Sequence, residues 1–195
     1  MKKTIAILIT LCVLFSLVAG CTPKEEEPVK YGDFGLFTTT DIYGNAVTQE
    51  DFRGKRVMFT MWDTSLDGID KYIGILQQLS DEYAQKNMIV VSLIIDAINP
   101  DTLEIKQDVV DEAKRLMEEN GGRFMVIVPT KGMLEGLIKE IEYTPSTFFI
   151  ETDGTYLSDM YVRGYGFETW KMLIEDDVFN HKAFSDENPN HTPEN

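Results

Sequence analysis

The sequence predicts an α/β domain: a mixed central sheet flanked by helices, preceded by an N-terminal β-hairpin. Three observations carry this. Short β-rich apolar runs alternate with longer segments whose apolar residues recur every three or four positions, the pattern of strands separated by helices. Turn residues punctuate the boundaries, as in Gly44-Asn45, Gly121-Gly122 and Asp153-Gly154. The chain also holds eleven Phe, eight Tyr and a 43% hydrophobic share, enough for one buried core without disulfide staples.

In chain order, Ile42-Tyr43-Gly44-Asn45-Ala46 places turn residues between two short extended pieces and predicts the hairpin. Arg56 to Trp62 is a largely apolar run that suits a strand inside a sheet. Ile69, Tyr72, Ile73, Leu76, Leu79 and Tyr83 then trace one face of a helix. Met88 to Ile95 reads as a second buried strand. Asp101 and Glu104 have capping-box spacing ahead of a helix bearing Val109, Val110, Ala113, Leu116 and Met117, which stops at Gly121-Gly122. A third strand follows at Phe124 to Val128, a short helix at Met133 to Ile141 and a strand at Ser146 to Ile150. Beyond the turn at Thr152-Asp153-Gly154, Thr155 to Val162 is expected to return antiparallel. Phe167, Trp170, Leu173 and Ile174 mark a closing helix, with Trp170 and Tyr161 read as packing residues.

The ends read differently from the middle. Lys2-Lys3 followed by the apolar stretch Ile5 to Ala19 has the form of a signal peptide, and that stretch is shorter than the about 20 residues of a membrane-spanning helix. Val18-Ala19-Gly20-Cys21 resembles the lipobox of bacterial lipoproteins, which implies cleavage after residue 20 and acylation of Cys21, palmitate included. The expected organisation is a signal peptide at 1–20, a charged, proline-bearing tether at 21–35, the folded domain at 36–179 and a polar tail at 180–195. Fully extended, the tether reaches roughly 45 Å. The expected location is the cell membrane, with the domain lipid-anchored on the extracytoplasmic side and the bilayer as a partner through Cys21.

Charge and cysteine usage narrow the function. The formal net charge is −15, and Lys2 and Lys3 leave with the signal peptide, so phosphate backbones are repelled and nucleic acid is excluded as a partner. The sequence contains two cysteines, Cys12 and Cys21. The first lies inside the signal segment and the second is the acylation site, which leaves the domain without a thiol in a compartment that permits disulfides.

Three stretches resemble the thioredoxin superfamily, and within it the extracytoplasmic redoxins called TlpA-like. Asp41-Ile42-Tyr43-Gly44-Asn45 through Asp51-Phe52-Arg53-Gly54-Lys55 resembles that family's N-terminal hairpin. Phe59-Thr60-Met61-Trp62-Asp63-Thr64 resembles the run just before its CxxC, and Tyr143-Thr144-Pro145-Ser146-Thr147-Phe148-Phe149-Ile150 with Asp153-Gly154 resembles the segment holding its cis-proline. The resemblance implies a thioredoxin-like fold, a cis Pro145 and a CxxC position at Leu66-Asp67-Gly68-Ile69. Both cysteine positions are aliphatic there. Thiol exchange needs a thiolate to attack sulfur and a second thiol to resolve the mixed disulfide, so the family's catalysis does not carry over and no catalytic residue is assigned.

What the resemblance leaves is a surface. Trp62, Leu66, Ile69, Thr144 and Pro145 are the candidate groove for an extended peptide or protein partner, bound beside the cis-proline loop by strand addition. Ile69 also opens the helix's apolar stripe, and Leu66 either lines that groove or plugs the former site. Asp63, Asp67 and Asp70 form the one acidic cluster nearby. Asp67 and Asp70 read as capping residues at a helix N-terminus; the rival is non-thiol enzyme chemistry on the Asp63/Asp67 side, metal-assisted through oxygen ligands. Thr64 and Ser65 read as further capping hydroxyls. His181 and His191 lie in or beside the tail and are spaced poorly for a metal, so no metal or cofactor is expected. A third alternative is a purely structural lipoprotein.

Overall fold

A computed structural model describes residues 37–180. The segments expected to be a signal peptide and a tether, with Cys21, and the expected tail from residue 181 onward lie outside the described residues.

The sheet is built on β3, Arg56–Trp62, in which every residue after Arg56 is buried. A strand covered on both faces needs a continuous apolar run rather than alternation, and Val-Met-Phe-Thr-Met-Trp supplies it. On one side β3 pairs in parallel with β4, Met88–Ile94, and on the other it pairs antiparallel with β6, Ser146–Ile150. A short β5, Met125–Ile127, pairs in parallel with β4, giving the order β5-β4-β3-β6. The hairpin strands β1, Thr38–Thr40, and β2, Ala46–Thr48, form a separate two-stranded sheet whose outer end closes the β5 edge. There Ile42 N–H donates to the Val126 carbonyl and Val128 N–H to the Thr40 carbonyl, both at 2.9 Å.

Alternation along β3 sorts two cores. Met58 and Trp62 face helix α1, Ile69–Tyr83, helix α2, Gln107–Glu119, and helix α4, Phe167–Ile174. Val57, Phe59 and Met61 face the hairpin residues Val47 and Phe52 and Met133 of the short helix α3, Lys131–Glu135. Trp170 of α4 is fully buried among Phe149, Tyr161 and Tyr165, each ring meeting it edge to face. Tyr161 and Trp170 are thus packing residues, and the Tyr161 hydroxyl also donates to the Asp177 carboxylate.

The structure corrects four expectations. Asp101 and Glu104 do not cap α2; the helix follows Lys106 with no side-chain cap. Asn99 Oδ1 instead accepts the backbone N–H groups of Asp101 and Thr102, and an Ile98–Ile105 bridge closes a loop before the helix begins. The segment from Met133 to Ile141 is not one helix: α3 starts earlier, with Thr130 Oγ1 accepting the Met133 N–H, breaks at Gly136 and resumes as a 3-10 turn over Ile138–Glu140. The Phe124 to Val128 strand shrinks to β5. Thr155 to Val162 is not a regular strand. It touches β6 at two bridges, Ile150–Tyr156 and Thr147–Tyr161, and carries two more residues between them than β6 does. That excess bulges the chain, and Ser158 turns its hydroxyl toward the Phe149 N–H instead of continuing the ladder. The sheet is mixed because β6 runs antiparallel to β3.

Candidate functional site

The loop from Asp63 to Gly68 leaves the end of β3 and is held by its own short side chains. Asp63 Oδ1 accepts Ser65 N–H at 3.1 Å and the Ser65 hydroxyl at 2.6 Å. Asp96, just beyond β4, accepts both the N–H and the hydroxyl of Thr64 through Oδ2, at 3.1 and 2.6 Å. Leu66 N–H donates to the Asp63 carbonyl, and its own carbonyl accepts Ile69 N–H, winding the loop into the first turn of α1. Gly68 sits just ahead of the helix at φ 77, a left-handed conformation that suits glycine, and no side chain caps this end. The capping roles expected of Asp67, Thr64 and Ser65 are therefore not filled. Asp67 and Asp70 are exposed, and Asp70 lies in the first helical turn, where its charge suits the positive end of the helix.

Opposite this loop, the Thr144–Pro145 peptide is cis. Thr144 donates its hydroxyl to Asp63 Oδ2 at 2.5 Å, a charge-assisted bond that fixes the two loops against each other. Between them lies a cleft of about 260 Å³ whose walls include Leu66, Tyr72, Ile75, Pro145, Gly164 and Tyr165. Leu66 is half-buried and packs against the main core, so it forms a wall of the cleft without filling it. A β-carbon on Gly164 would stand 3.3 Å from both the Pro145 ring and the Tyr72 ring, so the close approach of this segment depends on glycine.

Two residues expected in the groove are elsewhere. Trp62 is wholly inaccessible and belongs to the core under the sheet, because the pleat points it the same way as Met58. Ile69 is 7% exposed and packs into the same core as the first residue of α1's apolar stripe. Leu66 and Pro145 line the cleft; Thr144 braces the loop behind it.

Sequence reasoning missed Tyr72, Gly164 and Tyr165 as cleft residues. Tyr72 was visible as part of the α1 stripe, but its second task was not. Its hydroxyl lies 3.0 Å from Thr60 Oγ1 and 3.3 Å from Thr147 Oγ1, and Thr147 donates to Thr60 at 3.0 Å. The three buried hydroxyls close a triangle beneath the cleft. Burial, outweighing its two hydrogen bonds, pushes the Tyr72 hydroxyl above the usual tyrosine range. Among the described residues there is no cysteine or histidine, and no group of three or more acidic side chains is placed to hold a metal ion. The site's chemistry is that of a cleft with apolar walls, to which Asp67 and Lys71 add one charge of each sign, beside hydrogen-bonding loops.

No family model matches the chain. The chain is similar to the thiol-disulfide oxidoreductase ResA of Bacillus thuringiensis, 27% identical over 160 residues that cover 80% of this chain and 84% of the relative. Among solved structures, a thiol:disulfide interchange protein from Bacteroides is 16% identical and superposes with a TM-score of 0.56 over 78% of this chain and 91% of its own. The exposed lipoprotein thioredoxin Etrx1 of Streptococcus pneumoniae is 14% identical, with a TM-score of 0.53 over 73% of this chain and 99% of its own. The fold is thioredoxin-like, and the chain is related to thiol-disulfide oxidoreductases.

Proposed function

We propose that this protein is a lipid-anchored, extracytoplasmic thioredoxin-like module that no longer exchanges thiols and binds an extended peptide or protein segment at the vacated redox site. It would serve as an accessory to a thiol-redox or envelope assembly. The observation that carries the reading is the pairing of Leu66 with cis Pro145 across an open cleft, in a chain whose two cysteines both fall at or before residue 21. Leu66 and Ile69 stand at the start of α1, three residues apart, in the spacing of a CxxC. The half-exposed and buried members of such a pair would match an attacking and a resolving thiol, but hydrocarbon offers neither a nucleophile nor a proton to lose.

Binding has physical support in the same place. A slot of about 260 Å³ is below the usual range for whole small-molecule sites, about 300–1,000 Å³, and suits one apolar side chain of a docked segment. The clamp between Asp63 and Thr144 pre-sets the loop spacing, which lowers the ordering cost of binding. The lipid anchor rests on Val18-Ala19-Gly20-Cys21 and on likeness to a structure described as an exposed lipoprotein.

The test has three arms. Insulin reduction by the full chain in detergent is expected at the buffer rate; faster reduction would sink the reading. A photo-crosslinking residue at position 66 or 144, in intact cells, is expected to mark a discrete neighbour, and labelling from position 144 is expected to be lost when Leu66→Asp is added; diffuse labelling from position 144 that Leu66→Asp leaves unchanged argues for a structural plug. Radiolabelled palmitate is expected in the wild-type chain and absent from Cys21→Ser.

A further inference from the structure

The two edges of the sheet are treated differently. The hairpin closes the β5 edge, whereas β6 is covered by the bulged segment from Thr155 to Val162. Tyr161 spends both its backbone bonds on Thr147, donating at 2.7 Å and accepting at 2.8 Å. Alternation along an extended chain then turns the N–H and C=O of Met160 and Val162 outward, and among the described residues neither forms a backbone hydrogen bond. An open edge of this kind is a template for a further strand.

The ground beside that edge is concave and apolar. A cavity of about 590 Å³, with Leu137, Phe148, Tyr156 and Met160 in its lining, meets a second of about 360 Å³ lined in part by Tyr143 and Val162. The two share Glu140 and Met160 and so form one trough. Tyr143 is 66% exposed and Val162 47%, so two exposed apolar side chains stand along it. Its charge has one sign: Glu135, Glu140, Glu142 and Asp159 line it, and no lysine or arginine does. Glu135 is paired with Lys131, at 3.4 Å, while the other three have no ion pair among the described residues.

We infer that this trough is a second docking surface, one that takes an extended peptide alternating basic and apolar residues, paired as a strand to the outward backbone of Met160 and Val162. Alternate side chains of such a strand point to opposite faces, so one set meets the apolar floor while the other reaches the carboxylate rim. The charge selects the sign of the partner: an acidic segment would meet four carboxylates, of which only Glu135 has an ion-pair partner among the described residues. The surface is independent of the Leu66 cleft, and neither reading requires the other.

The test uses the full chain in detergent and a fluorescein-labelled peptide of sequence KVKVKVK, followed by fluorescence anisotropy. Saturable binding is expected. Glu140→Lys with Glu142→Lys is expected to weaken it about tenfold, whereas Asp108→Lys with Glu118→Lys, the same charge change on helix α2 across the sheet, leaves it nearly unchanged. Val162→Pro deletes an outward N–H without touching the Tyr161–Thr147 pair and is expected to weaken binding about fivefold. Thermal melting followed by circular dichroism confirms that each variant folds. No binding by the wild type, an equal loss in both charge pairs, or no effect of a folded Val162→Pro overturns the inference. So does abolition of binding by Leu66→Asp, which would move the peptide to the other cleft.

Discussion

The Tyr72–Thr60–Thr147 triangle gives a prediction whose magnitude can be worked out. In a closed ring of three hydroxyls, each donates once and accepts once. The separations of 3.0, 3.3 and 3.0 Å allow this, and all three side chains are buried. Tyr72→Phe keeps the aromatic ring and removes two of the three bonds. Thr147 and Thr60 still meet, but one threonine proton is left without an acceptor in a dry site. Leaving one buried donor stranded costs about 1–3 kcal/mol, so the single variant loses about 2 kcal/mol. Thr60→Val and Thr147→Val each lose a similar amount by the same reasoning.

The informative variant is the triple, Tyr72→Phe with Thr60→Val and Thr147→Val. It removes every polar atom from the triangle at nearly constant shape and strands none. Its loss is expected to be about that of one single variant, far below the sum of three. Equilibrium unfolding in urea measures this: at a slope of about 2 kcal/mol per molar, each single variant shifts the midpoint down by about 1 M. A triple variant destabilised by the sum of the singles would refute the closed ring.

Stability is expected to fall as pH rises above about 10, the pH near which an unfolded tyrosine loses its proton. Tyr72 is held above that by burial, and Tyr83 and Tyr161 are likewise raised by burial and by their neighbours Glu175 and Asp177. A raised folded-state value means the contribution is complete below the unfolded value and is lost as pH climbs through the folded one. Tyr72→Phe is therefore expected to shallow the decline between about pH 10 and 11 in urea unfolding, and an unaltered slope would contradict it. Leu66→Cys with Ile69→Cys should restore a disulfide between these positions and raise insulin reduction above the wild type; two free thiols after oxidation would show that the positions do not correspond to a CxxC. Gly122→Ala places a β-carbon 2.6 Å from the Met117 sulfur and 3.0 Å from Ile73 Cγ2, so a loss of about 1–3 kcal/mol in urea unfolding is expected, partly relieved by Met117→Ala.

Several elements were legible because a local rule decides them. The strands over Arg56–Trp62 and Ser146–Ile150 need only an apolar run with turn residues at its borders, and α1 needs only its periodic stripe. The Asp101–Glu104 pattern misled because Asn99, two residues before Asp101, claims the backbone donors that a capping box would have left to the helix. Thr155 to Val162 has strand composition, yet its two extra residues relative to β6 are visible only once the bridges are known. Trp62 illustrates the same limit within the site. Its place in the motif says nothing of which face it takes, and the pleat of β3 directs it into the core.

The sequence by itself determined that the domain carries no thiol, that its net charge is strongly negative and that strands and helices alternate, since composition and short-range periodicity suffice for each. Tertiary structure alone decided that Leu66, Tyr72, Pro145 and Gly164 share one cleft, that Thr144 clamps Asp63 and that one sheet edge remains open beside an acidic trough. These join residues dozens of positions apart. A contact of that kind depends on strand order, register and the side of the sheet, which a local pattern does not encode.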